Sequence, residues 1–395
     1  MLKGIRILDL SRLLPGPYGS LLLADMGAEV IKIEDTSAGD YIRDHDPKVK
    51  NVSAYYLAIN RNKKSIRINY RDPAGKDIFL KLVADADVVL ESFRPGVMDA
   101  WGIGYSELKK INPGLVYCAL TGYGQTGCNK NKAGHDINYL SVSGILDITG
   151  IKNGRPIMPG IQVADLSGGM FAVIGILSAL VRKKQTGEGC YLDVSMLDGL
   201  LSLMALYVGQ YQAEAQPLKR GELNLSGGLV CYNIYQTKDD RYVVLGSLEY
   251  KFWKNFCMAI KRVDLVKDHL AKAIDGDFTY EEIKRIFLEM TLAEWEEILG
   301  TVDCCFSPIQ GINEVLAGSL VRERGITVKI NDSIGGEFNQ IGIPIKFILN
   351  DGKEYPTGGG QILFPPIWGQ HTDLVLSKLG YSDSDLEELK AKGIV

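Results

Sequence analysis

One histidine in the sequence lies in a setting that favours chemistry over a structural role. His135 follows a polar loop, and a carboxylate, an amide and a phenol come directly after it in the block Gly134–Tyr139. A lone histidine is more often structural, but imidazole is also the side chain that changes charge near neutral pH. Neighbours of this kind orient an imidazole and tune its basicity. His135 is therefore a candidate acid–base group.

One aspartate stands at the boundary between two apolar segments. Asp165 follows the strand-like run Ile161–Ala164 and precedes a long apolar helix. A charged side chain in such a place is costly unless it is satisfied. Aspartate is a favoured helix N-cap, which is the structural interpretation. The functional interpretation uses the same geometry, because free N–H groups and the helix dipole at that terminus face whatever binds there.

Two further sequence patterns argue against particular kinds of cofactor. Gly122–Gly127 matches GxGxxG after a predicted strand, but a dinucleotide site also needs a helix to begin there. The polar loop Cys128–Lys132 follows instead, so we interpret the motif as a glycine-rich turn. The seven cysteines contain no CxxC pair, and no HExxH motif or P-loop occurs. We therefore predict no metal site and no redox cofactor.

Composition and charge argue against several partners. The chain has 395 residues, of which 46% are hydrophobic, and a formal net charge of −4. That balance argues against nucleic acid, which normally requires a basic surface. No stretch approaches the uninterrupted apolar length of a membrane span, and the first residues lack the features of a signal peptide. We expect a soluble cytoplasmic protein with reduced thiols, no membrane partner and two domains.

The first part of the chain alternates short apolar strands with helices. Repeated strand–helix units predict a mostly parallel sheet with helices on both faces, here a large Rossmann-like α/β domain. Asp72 and Pro73 mark one helix start, as the cap and the first helical residue. Strands are predicted at Ile5–Leu10, Glu29–Ile33, Val88–Leu90 and Leu115–Leu120, and helices at about Tyr18–Met26 and Pro73–Ala84.

Beyond Leu166 the pattern changes. Phe171–Val181 and Ser195–Tyr211 are almost entirely apolar and predict two long buried helices. A predicted hairpin, with strands at Val230–Tyr235 and Tyr242–Gly246, then opens a second domain. Further helices are predicted around 252–262, 279–290, 292–299 and 372–379. The predicted domains are a large α/β domain at 1–200, a small α+β domain at 225–330, and a segment at 331–395 that returns to the large domain.

Ordered blocks along nearly the whole chain resemble one superfamily. They are Leu14–Pro17, Ala24–Glu34, Asn60–Ser65, Glu91–Val97, Thr121–Gly127 and the segment around Asp165. In this order they resemble the class III CoA-transferase superfamily of the CaiB/BaiF type, and most of all its α-methylacyl-CoA racemases. The resemblance implies an enzyme with an acyl-CoA substrate, no cofactor other than the coenzyme A of that substrate, and a homodimer. In such dimers the two chains interlock, and the second domain of one chain closes the site of the other.

The resemblance also gives roles to the candidate residues. All members keep an aspartate at the position of Asp165, which in the transferases forms an acyl anhydride and then a CoA thioester. The block Gly134–Tyr139, with its catalytic histidine, resembles the racemases. So does Gly246–Trp253, where the racemases place a glutamate that hydrogen-bonds the histidine. By this resemblance Glu249 would orient His135.

Other features resemble the transferases. Ile161 stands where the racemases have asparagine, Leu166–Gly169 replaces their longer glycine run, and Pro159–Asp165 is more similar to a transferase. Two reactions therefore remain open: inversion of the α-carbon of 2-methylacyl-CoA thioesters through an enolate, and transfer of CoA between carboxylic acids. A catalytically silent CoA-binding protein is a third possibility, against which the retention of both His135 and Asp165 speaks.

Racemisation requires one base on each face of the α-carbon. His135 and Asp165 would supply that pair. An α-proton beside a thioester is very weakly acidic, so the enolate oxygen also needs hydrogen-bond donors. We expect the backbone N–H groups around Asp165 to provide them.

Contacts to coenzyme A are also implied by the resemblance. Phosphates are expected to bind Lys63, Lys64 or Arg71. The short basic cluster that contains the two lysines, at residues 61–67, is otherwise interpreted as a solvated face. The residues expected near the nucleotide are Ile68, Asn69, Tyr70, Arg71 and Arg94, and those expected near the thioester are Gly134, Asp136, Ile137, Asn138 and Tyr139.

Overall fold

A computed structural model describes residues 1–331, 337–360 and 362–395, with strands and helices alternating over the first half of the chain. The strands are β1 (Arg6–Asp9), β2 (Glu29–Glu34), β3 (Lys48–Val49), β4 (Val52–Ser53), β5 (Lys63–Arg67), β6 (Val88–Glu91), β7 (Val116–Thr121), β8 (Cys190–Ser195), β9 (Tyr232–Gln236), β10 (Tyr242–Gly246), β11 (Phe306–Pro308), β12 (Thr327–Asn331) and β13 (Glu337–Ile341). The α-helices are α1 (Pro15–Asp25), α2 (Ala54–Ile59), α3 (Pro73–Ala84), α4 (Val97–Ala100), α5 (Tyr105–Ile111), α6 (Asp136–Val142), α7 (Ile145–Ile148), α8 (Val163–Thr186), α9 (Met196–Leu203), α10 (Ala205–Glu214), α11 (Tyr250–Ala259), α12 (Phe278–Phe287), α13 (Leu292–Leu299), α14 (Ile312–Ala317), α15 (Ser319–Arg324), α16 (Thr372–Lys378) and α17 (Asp383–Ala391).

The central element is a six-stranded sheet in the order β5-β2-β1-β6-β7-β8. Every neighbouring pair is parallel, which confirms the predicted α/β architecture. Strands β6 and β7 are buried along their whole length, as parallel strands covered on both faces are. The chain builds outwards from β1 to β5, then returns and builds from β6 to β8. Strand order therefore reverses between β1 and β6, and open α/β sheets bind ligands at the carboxyl ends of the strands at such a point.

The chain forms two compact units. The first contains residues 1–142, 161–203 and 324–395, and the second contains 143–160 and 204–323. The predicted large domain, 1–200, thus includes a short segment that the structure groups with the second unit. The segment predicted to return to the large domain, 331–395, falls in the last part of the first unit.

Hydrogen bonds explain both assignments. Within the second unit the Arg220 guanidinium donates to the carbonyl oxygens of Asp147 and Gly154, at 2.8 and 2.7 Å, and so ties the short segment to it. Within the first unit the N–H of Ser65 in β5 donates to Nδ1 of His371 at 3.2 Å. Such long-range pairing leaves no trace in local sequence patterns.

The second unit is built around the antiparallel sheet β11-β10-β9. Its hairpin is the predicted one, with Tyr242 of β10 opposite Gln236 of β9. Helices α11, α12 and α13 cover it with a core that combines aliphatic and aromatic side chains. The indole of Trp253 donates to the carbonyl oxygen of Leu265 at 2.9 Å, so even this buried polar atom is satisfied.

Two helix predictions differ from the structure. A single helix at Ser195–Tyr211 is wrong, because β8 ends at Ser195 and the separate helices α9 and α10 follow. Strand β8 lies at the edge of the sheet and is exposed on alternate residues, so its sequence has only a weak apolar signal. The helix predicted around Phe171–Val181 begins earlier, at Val163 with Gln162 as its cap, so the interpretation of Asp165 as an N-cap is also wrong.

Helix α8 is long and apolar enough, by length and composition, to cross a membrane. The expectation that no stretch approaches this length is therefore wrong for α8, the one such helix among the described residues. One face of α8, including Ala172 and Ile176, is buried within the first unit, while Met170, Ile174 and Val181 are exposed. The core helix of a soluble protein meets the same criteria of length and composition.

Candidate active site

A cavity of about 420 Å³ lies at the carboxyl ends of β1, β6, β7 and β8, where the strand order reverses. Its lining includes Arg12 after β1, Arg94 after β6 and Thr121 at the end of β7. His135 and Asp165 both line it as well. The two residues singled out from the sequence, thirty positions apart, thus line the same cavity.

Asp165 lies in the first turn of α8, and close helix packing fixes that turn. A Cβ atom on Gly169 would lie 2.5 Å from the carbonyl oxygen of Pro15 in α1. A Cβ atom on Gly168 would lie 2.6 Å from Cγ of Met196. The two glycines after Asp165 therefore allow α8 to press against the start of α1 and against α9, which holds the carboxyl at the cavity.

The carboxyl group of Asp165 has an unusual acidity. Burial and, second, the negative charge of Asp136 raise the pKa of Asp165 to about 7. The group is therefore partly protonated near neutral pH, whereas an ordinary aspartate is fully ionised. A pKa near the working pH suits a group that both donates and accepts protons.

Asp136 caps the helix that carries Asp165. Its Oδ1 accepts the backbone N–H of Ala164 at 2.6 Å and that of Asp165 at 3.2 Å. These two N–H groups are among those expected to donate to the enolate oxygen. That expectation is wrong, because both groups already donate to Asp136. Asp136 itself is not among the residues that line the cavity, and burial raises its pKa. Its side chain positions the first turn of α8.

His135 is solvent-exposed and directly precedes α6. Its backbone N–H donates to Oδ1 of Asn138 at 3.0 Å, and its carbonyl oxygen accepts the N–H of Asn138 at 2.8 Å. This reciprocal pair fixes the backbone at the entry to the helix. Within the described part of the first unit no group hydrogen-bonds the imidazole, which therefore remains available to a ligand.

Tyr139 supports the loop that carries the histidine. Its hydroxyl donates to the carbonyl oxygen of Gly134 at 2.7 Å, and its ring meets that of Tyr123 edge-on at 5.1 Å between centroids. A Cβ on Gly122 would lie 2.3 Å from this hydroxyl, so the glycine is needed for close approach. Burial, and then the charge of Asp165, raise the pKa of Tyr139 to about 12, so the phenol stays a hydrogen-bond donor. Gly134 and Tyr139 line the cavity, while Ile137 and Asn138 are exposed residues that do not.

The GxGxxG motif is a turn, as predicted. No helix begins there, and the next helix is α6. Gly124 and Gly127 adopt φ angles of 79° and 82°, which favour glycine. Their conformation accounts for the motif without a dinucleotide.

A second cavity, of about 300 Å³, shares Arg12 and Phe93 with the first. Three aromatic residues form part of its wall, and Trp101 lies 5.1 Å from both Tyr70 and Phe93 between ring centroids. The Arg71 guanidinium lies 5.9 Å from the Trp101 ring, within cation–π range. Aromatic rings beside guanidinium groups are suited to a base and its phosphates.

The residues expected near the nucleotide are divided between core and surface. Ile68 is fully buried and presents no surface to a ligand. Asn69 Oδ1 accepts the N–H of Arg71 at 3.3 Å, and the Arg71 guanidinium pairs with Asp35. Tyr70, though largely buried, lines the second cavity, and Arg94 lines the first. Of the expected set, Tyr70, Arg71 and Arg94 therefore line a cavity, and Ile68 and Asn69 do not.

Arg12 is a residue that the sequence reasoning missed. It lines both cavities, its N–H donates to Oγ of Ser92 at 3.2 Å, and its guanidinium lies 5.2 Å from the centre of the Phe93 ring. The available signal was its place three residues after the end of β1, near the strand end where ligands of such sheets bind. Arg12 is thus a second candidate anion ligand beside Arg94.

Comparisons with known proteins decide the family. A family model described as CoA-transferase family III matches residues 2–371. This chain belongs to that family. The sequence is 32% identical to succinyl-CoA:glutarate CoA-transferase from Homo sapiens over 404 aligned residues, which cover 100% of this chain and 90% of that protein. It is 31% identical to alpha-methylacyl-CoA racemase from Homo sapiens over 400 residues, which cover 100% of this chain and 97% of that protein.

A solved structure extends the likeness to the fold. The crystal structure of a CAIB/BAIF family protein from Brucella suis matches with a TM-score of 0.80 and 28% identity, over 95% of this chain and 98% of that one. The CaiB/BaiF resemblance is therefore confirmed. Family membership alone does not choose a reaction, because both a transferase and a racemase align with the whole chain.

The basic cluster of this family III chain is largely internal. Arg61 and Lys63 are each only 1% exposed, so the interpretation of a solvated face is wrong for both. Arg61 pairs with Asp25, and Nζ of Lys63 donates to the carbonyl oxygen of Pro17 at 2.8 Å. Lys63 is thus unavailable to a phosphate, while Lys64 is partly exposed and pairs with the first glutamate of β2.

Glu249 belongs to the second unit, where it directly precedes α11 and is exposed. Burial and the charge of Glu249 raise the pKa of the neighbouring Cys305. The orienting role of Glu249 stays a prediction.

The described part of the chain contains no group of three or more histidine, cysteine, aspartate or glutamate side chains placed to hold a metal ion.

Proposed function

We propose that this family III protein is an acyl-CoA racemase that inverts the α-carbon of 2-methylacyl-CoA thioesters. The observation that carries the proposal is that His135 lines the same cavity as Asp165, whose pKa is about 7. Racemisation requires two proton-transfer groups at one carbon, and this pair meets that need. Acyl transfer through an aspartyl anhydride requires the Asp165 carboxylate but gives the His135 imidazole no comparable catalytic role.

The proposed reaction is a 1,1-proton transfer. The His135 imidazole removes the α-proton, and the electron pair of that C–H bond enters an enolate. The protonated Asp165 carboxyl then delivers its proton to the opposite face, a new C–H bond forms and the carbonyl is restored. For the other epimer the two residues exchange roles. No metal or redox cofactor takes part in this scheme.

Acidity sets the main barrier for this reaction. A mismatch on the order of ten pKa units between the α-proton and imidazolium costs about 1.4 kcal/mol per unit. Each preorganised donor at the enolate oxygen recovers about 3–4 kcal/mol. The N–H groups of Ala164 and Asp165 are bonded to Asp136, so donors elsewhere in the cavity are required.

Coenzyme A is proposed to lie across the two cavities. Its thioester would reach Asp165 in the first, and its adenine would stack in the aromatic second cavity. Arg12, which borders both, and the nearby Arg94 and Arg71 would contact the phosphates. Guanidinium groups are the side chains best matched to phosphate oxygens.

Acyl-CoA transfer is the second candidate, favoured by the 32% identity to succinyl-CoA:glutarate CoA-transferase along the whole chain. In that case the Asp165 carboxylate attacks the thioester carbonyl and expels CoA thiolate, leaving an acyl anhydride. The thiolate then attacks the aspartyl carbonyl and releases the first carboxylic acid. The acceptor acid completes the exchange by the same two steps in reverse.

Solvent exchange separates the two reactions. The protein is incubated with 2-methylacyl-CoA in deuterated water, and the mass of the thioester is measured. A racemase incorporates deuterium at the α-carbon, and His135→Gln abolishes incorporation. Absence of exchange, with an aspartyl–CoA thioester trapped by hydroxylamine and activity that survives His135→Gln but not Asp165→Ala, would select the transferase.

We further propose a homodimer in which Glu249 orients the imidazole of His135. Its role is positioning, so Glu249→Gln should retain an acceptor oxygen and most activity, while Glu249→Ala should lower kcat with little change in KM. The pH profile of kcat should also shift in Glu249→Ala, because the carboxylate tunes the imidazole. Sedimentation of the purified protein tests the dimer independently.

A further inference from the structure

Arg12 lies in a loop whose backbone conformation is unusual. The loop joins β1 to α1, and Leu13, directly after Arg12, adopts a φ angle of 62°. Leucine rarely adopts this left-handed conformation, which persists only where the surrounding structure enforces it, often at binding sites. Both residues line the cavity that contains Asp165. The contacts that enforce the conformation of Leu13 therefore also set the course of the chain at Arg12.

Side chains from two other segments hold the backbone at and after Arg12. The N–H of Arg12 donates to Oγ of Ser92 at 3.2 Å, and the N–H of Leu13 donates to Oδ1 of Asp40 at 3.1 Å. These partners lie 80 and 27 positions away along the chain. The conformation of the loop is therefore fixed by tertiary contacts, which its own residues do not supply.

One buried ion pair joins the two ends of this arrangement. Nζ of Lys32 in β2 donates to the carbonyl oxygen of Ser11 at 2.8 Å, and it lies 2.8 Å from Oδ2 of Asp40. The other oxygen of Asp40 accepts the N–H of Leu13. The pair thus contacts the backbone one residue before Arg12 and one residue after it.

The pair is ionised but has no surface for a ligand. Both side chains are 0% exposed. Burial lowers the pKa of Lys32, but the charges of Asp40, Asp9 and Glu34 outweigh it, so the pKa is raised and the amine stays charged. A buried ion pair is a weak source of stability compared with apolar side chains, and specifying one conformation is an alternative role. Any effect of this pair on binding must therefore pass through the loop.

We propose that the ion pair of Lys32 and Asp40 positions Arg12 for the phosphates of the bound acyl-CoA. The guanidinium of Arg12 lies 5.2 Å from the centre of the Phe93 ring, and both residues line both cavities. A guanidinium that is already held in place loses less freedom on binding, so the ligand binds more tightly. Lys32 and Asp40 are thus positioning residues. Their role rests on the proposed binding of coenzyme A at these cavities.

A double-mutant cycle tests whether the pair acts through Arg12. Calorimetry measures the affinity of coenzyme A for the native protein, for Arg12→Ala, for the pair variant Lys32→Met with Asp40→Asn, and for the variant with all three substitutions. The pair variant leaves no unpaired charge, and its asparagine oxygen can still accept the N–H of Leu13.

The cycle has one expected pattern. Arg12→Ala should weaken binding by about 10- to 100-fold, the range of one hydrogen bond to a charged group, and the pair variant by about three- to ten-fold. The triple variant should bind no more weakly than Arg12→Ala, because the pair has no effect once the guanidinium is absent. Unchanged affinity in the pair variant, or a loss that adds in full to that of Arg12→Ala, would overturn the proposal.

A second buried ion pair in the same unit provides the matched control. Arg61 pairs with Asp25 at nearly the same low exposure, and neither residue lines either cavity. Arg61→Met with Asp25→Asn should keep the affinity for coenzyme A, and thermal unfolding compares its stability with that of the pair variant. Hydrogen exchange of the peptide at residues 10–14 should be faster in the pair variant and unchanged in the control. Equal loss of affinity in the two variants would reduce the pair to a general structural role.

Kinetics separate this proposal from the proposed racemase. The pair variant should raise KM for 2-methylacyl-CoA and leave the kcat of deuterium incorporation little changed, because Arg12 is assigned to the phosphates. A fall in kcat at unchanged KM would reject that assignment. A native protein that binds coenzyme A but exchanges no α-proton would reject the racemase alone, and the cycle would still decide the role of the pair. A native protein that does not bind coenzyme A would reject both.

Discussion

Asp165 and His135 face one cavity but are held in place by different means. Asp165 sits in a helix turn that is pressed against α1 through glycine contacts and capped by Asp136. His135 is exposed, and its loop is held by a backbone pair with Asn138 and by the hydroxyl of Tyr139. Packing therefore sets the environment of the carboxyl, whereas a few local hydrogen bonds set that of the imidazole. Substitutions around the carboxyl of Asp165 should therefore lower stability and activity strongly, and substitutions around the imidazole of His135 should lower them less.

The strongest test adds one methyl group to each part. In Gly169→Ala the new Cβ meets the backbone oxygen of Pro15 at 2.5 Å, so α8 must move. We expect a loss of about 1–3 kcal/mol in the free energy of unfolding and a fall of about 100-fold in kcat, because small misplacements of catalytic groups are costly. In Gly134→Ala the new Cβ meets the ring edge of Tyr139 at 2.8 Å, and a side chain can shift.

That second variant is the internal control for the first. Gly134→Ala should lose less than about 1 kcal/mol in thermal unfolding experiments. Equal losses in the two variants would mean that the packing of α8 does not distinguish the two parts of the cavity.

The raised pKa of Asp165 predicts a stability effect that depends on pH. The pKa of Asp165 in the folded protein, about 7, lies above its value in the unfolded chain. The stabilisation linked to this group is therefore fully present below the unfolded pKa, and it is lost as the pH rises through the folded pKa. Asp165→Asn removes the buried charge and should raise the free energy of unfolding at pH 8 by about 1–2 kcal/mol, allowing for solvent screening. The gain should shrink at pH 4. A variant no more stable at pH 8 than at pH 4, relative to the native protein, would contradict the burial argument.

The charge of Asp136 provides a finer test of the same carboxyl. Asp136→Asn keeps an oxygen that caps α8 but removes the negative charge that helps to raise the pKa of Asp165. The limb of the kcat/KM profile that reports Asp165 should move to lower pH. Asp136→Ala, which also loses the cap, should in addition be less stable by about 0.5–2 kcal/mol. A limb that stays in place in Asp136→Asn would assign the raised pKa to burial alone.

The smallest expected effect concerns the histidine loop. Asn138→Ala removes the side-chain oxygen that accepts the N–H of His135. We expect a fall of a few-fold in kcat and a loss below about 1 kcal/mol in stability, because water replaces an exposed acceptor. Deuterium exchange measures the change in kcat, and thermal unfolding measures the change in stability. A loss as large as that in Gly169→Ala would show that this loop is held as tightly as α8.

The sequence predicted the sheet because its strands are short apolar runs between capped helices, as at Asp72, whose side chain accepts the N–H of Ala74. It also singled out His135 and Asp165 from their neighbours. Strand β8 was missed because an edge strand that is exposed on alternate residues has no continuous apolar run. The capping of α8 by Asp136 was missed because it joins residues 28 positions apart.

The sequence also failed to predict which charged residues are buried. Arg61 and Lys63 have the composition of a surface cluster, and only the tertiary fold brings Asp25 and the carbonyl oxygen of Pro17 to them. Lys32 shows the same limit, since no local sequence pattern reveals its pairing with Asp40. Local patterns predict elements well, and they say little about which polar groups those elements bring together.

The assembly of the first unit from three separate stretches of chain has a consequence for the order of folding. Its edge strand β5 bonds to His371, 306 residues later, so this edge of the sheet is not covered until the last stretch has been synthesised. Contacts of such long separation slow folding, because a long loop must close before they are formed. The second unit, which ends at residue 323, has all of its residues earlier. During translation it can therefore reach its native form before the last stretch of the first unit has been synthesised.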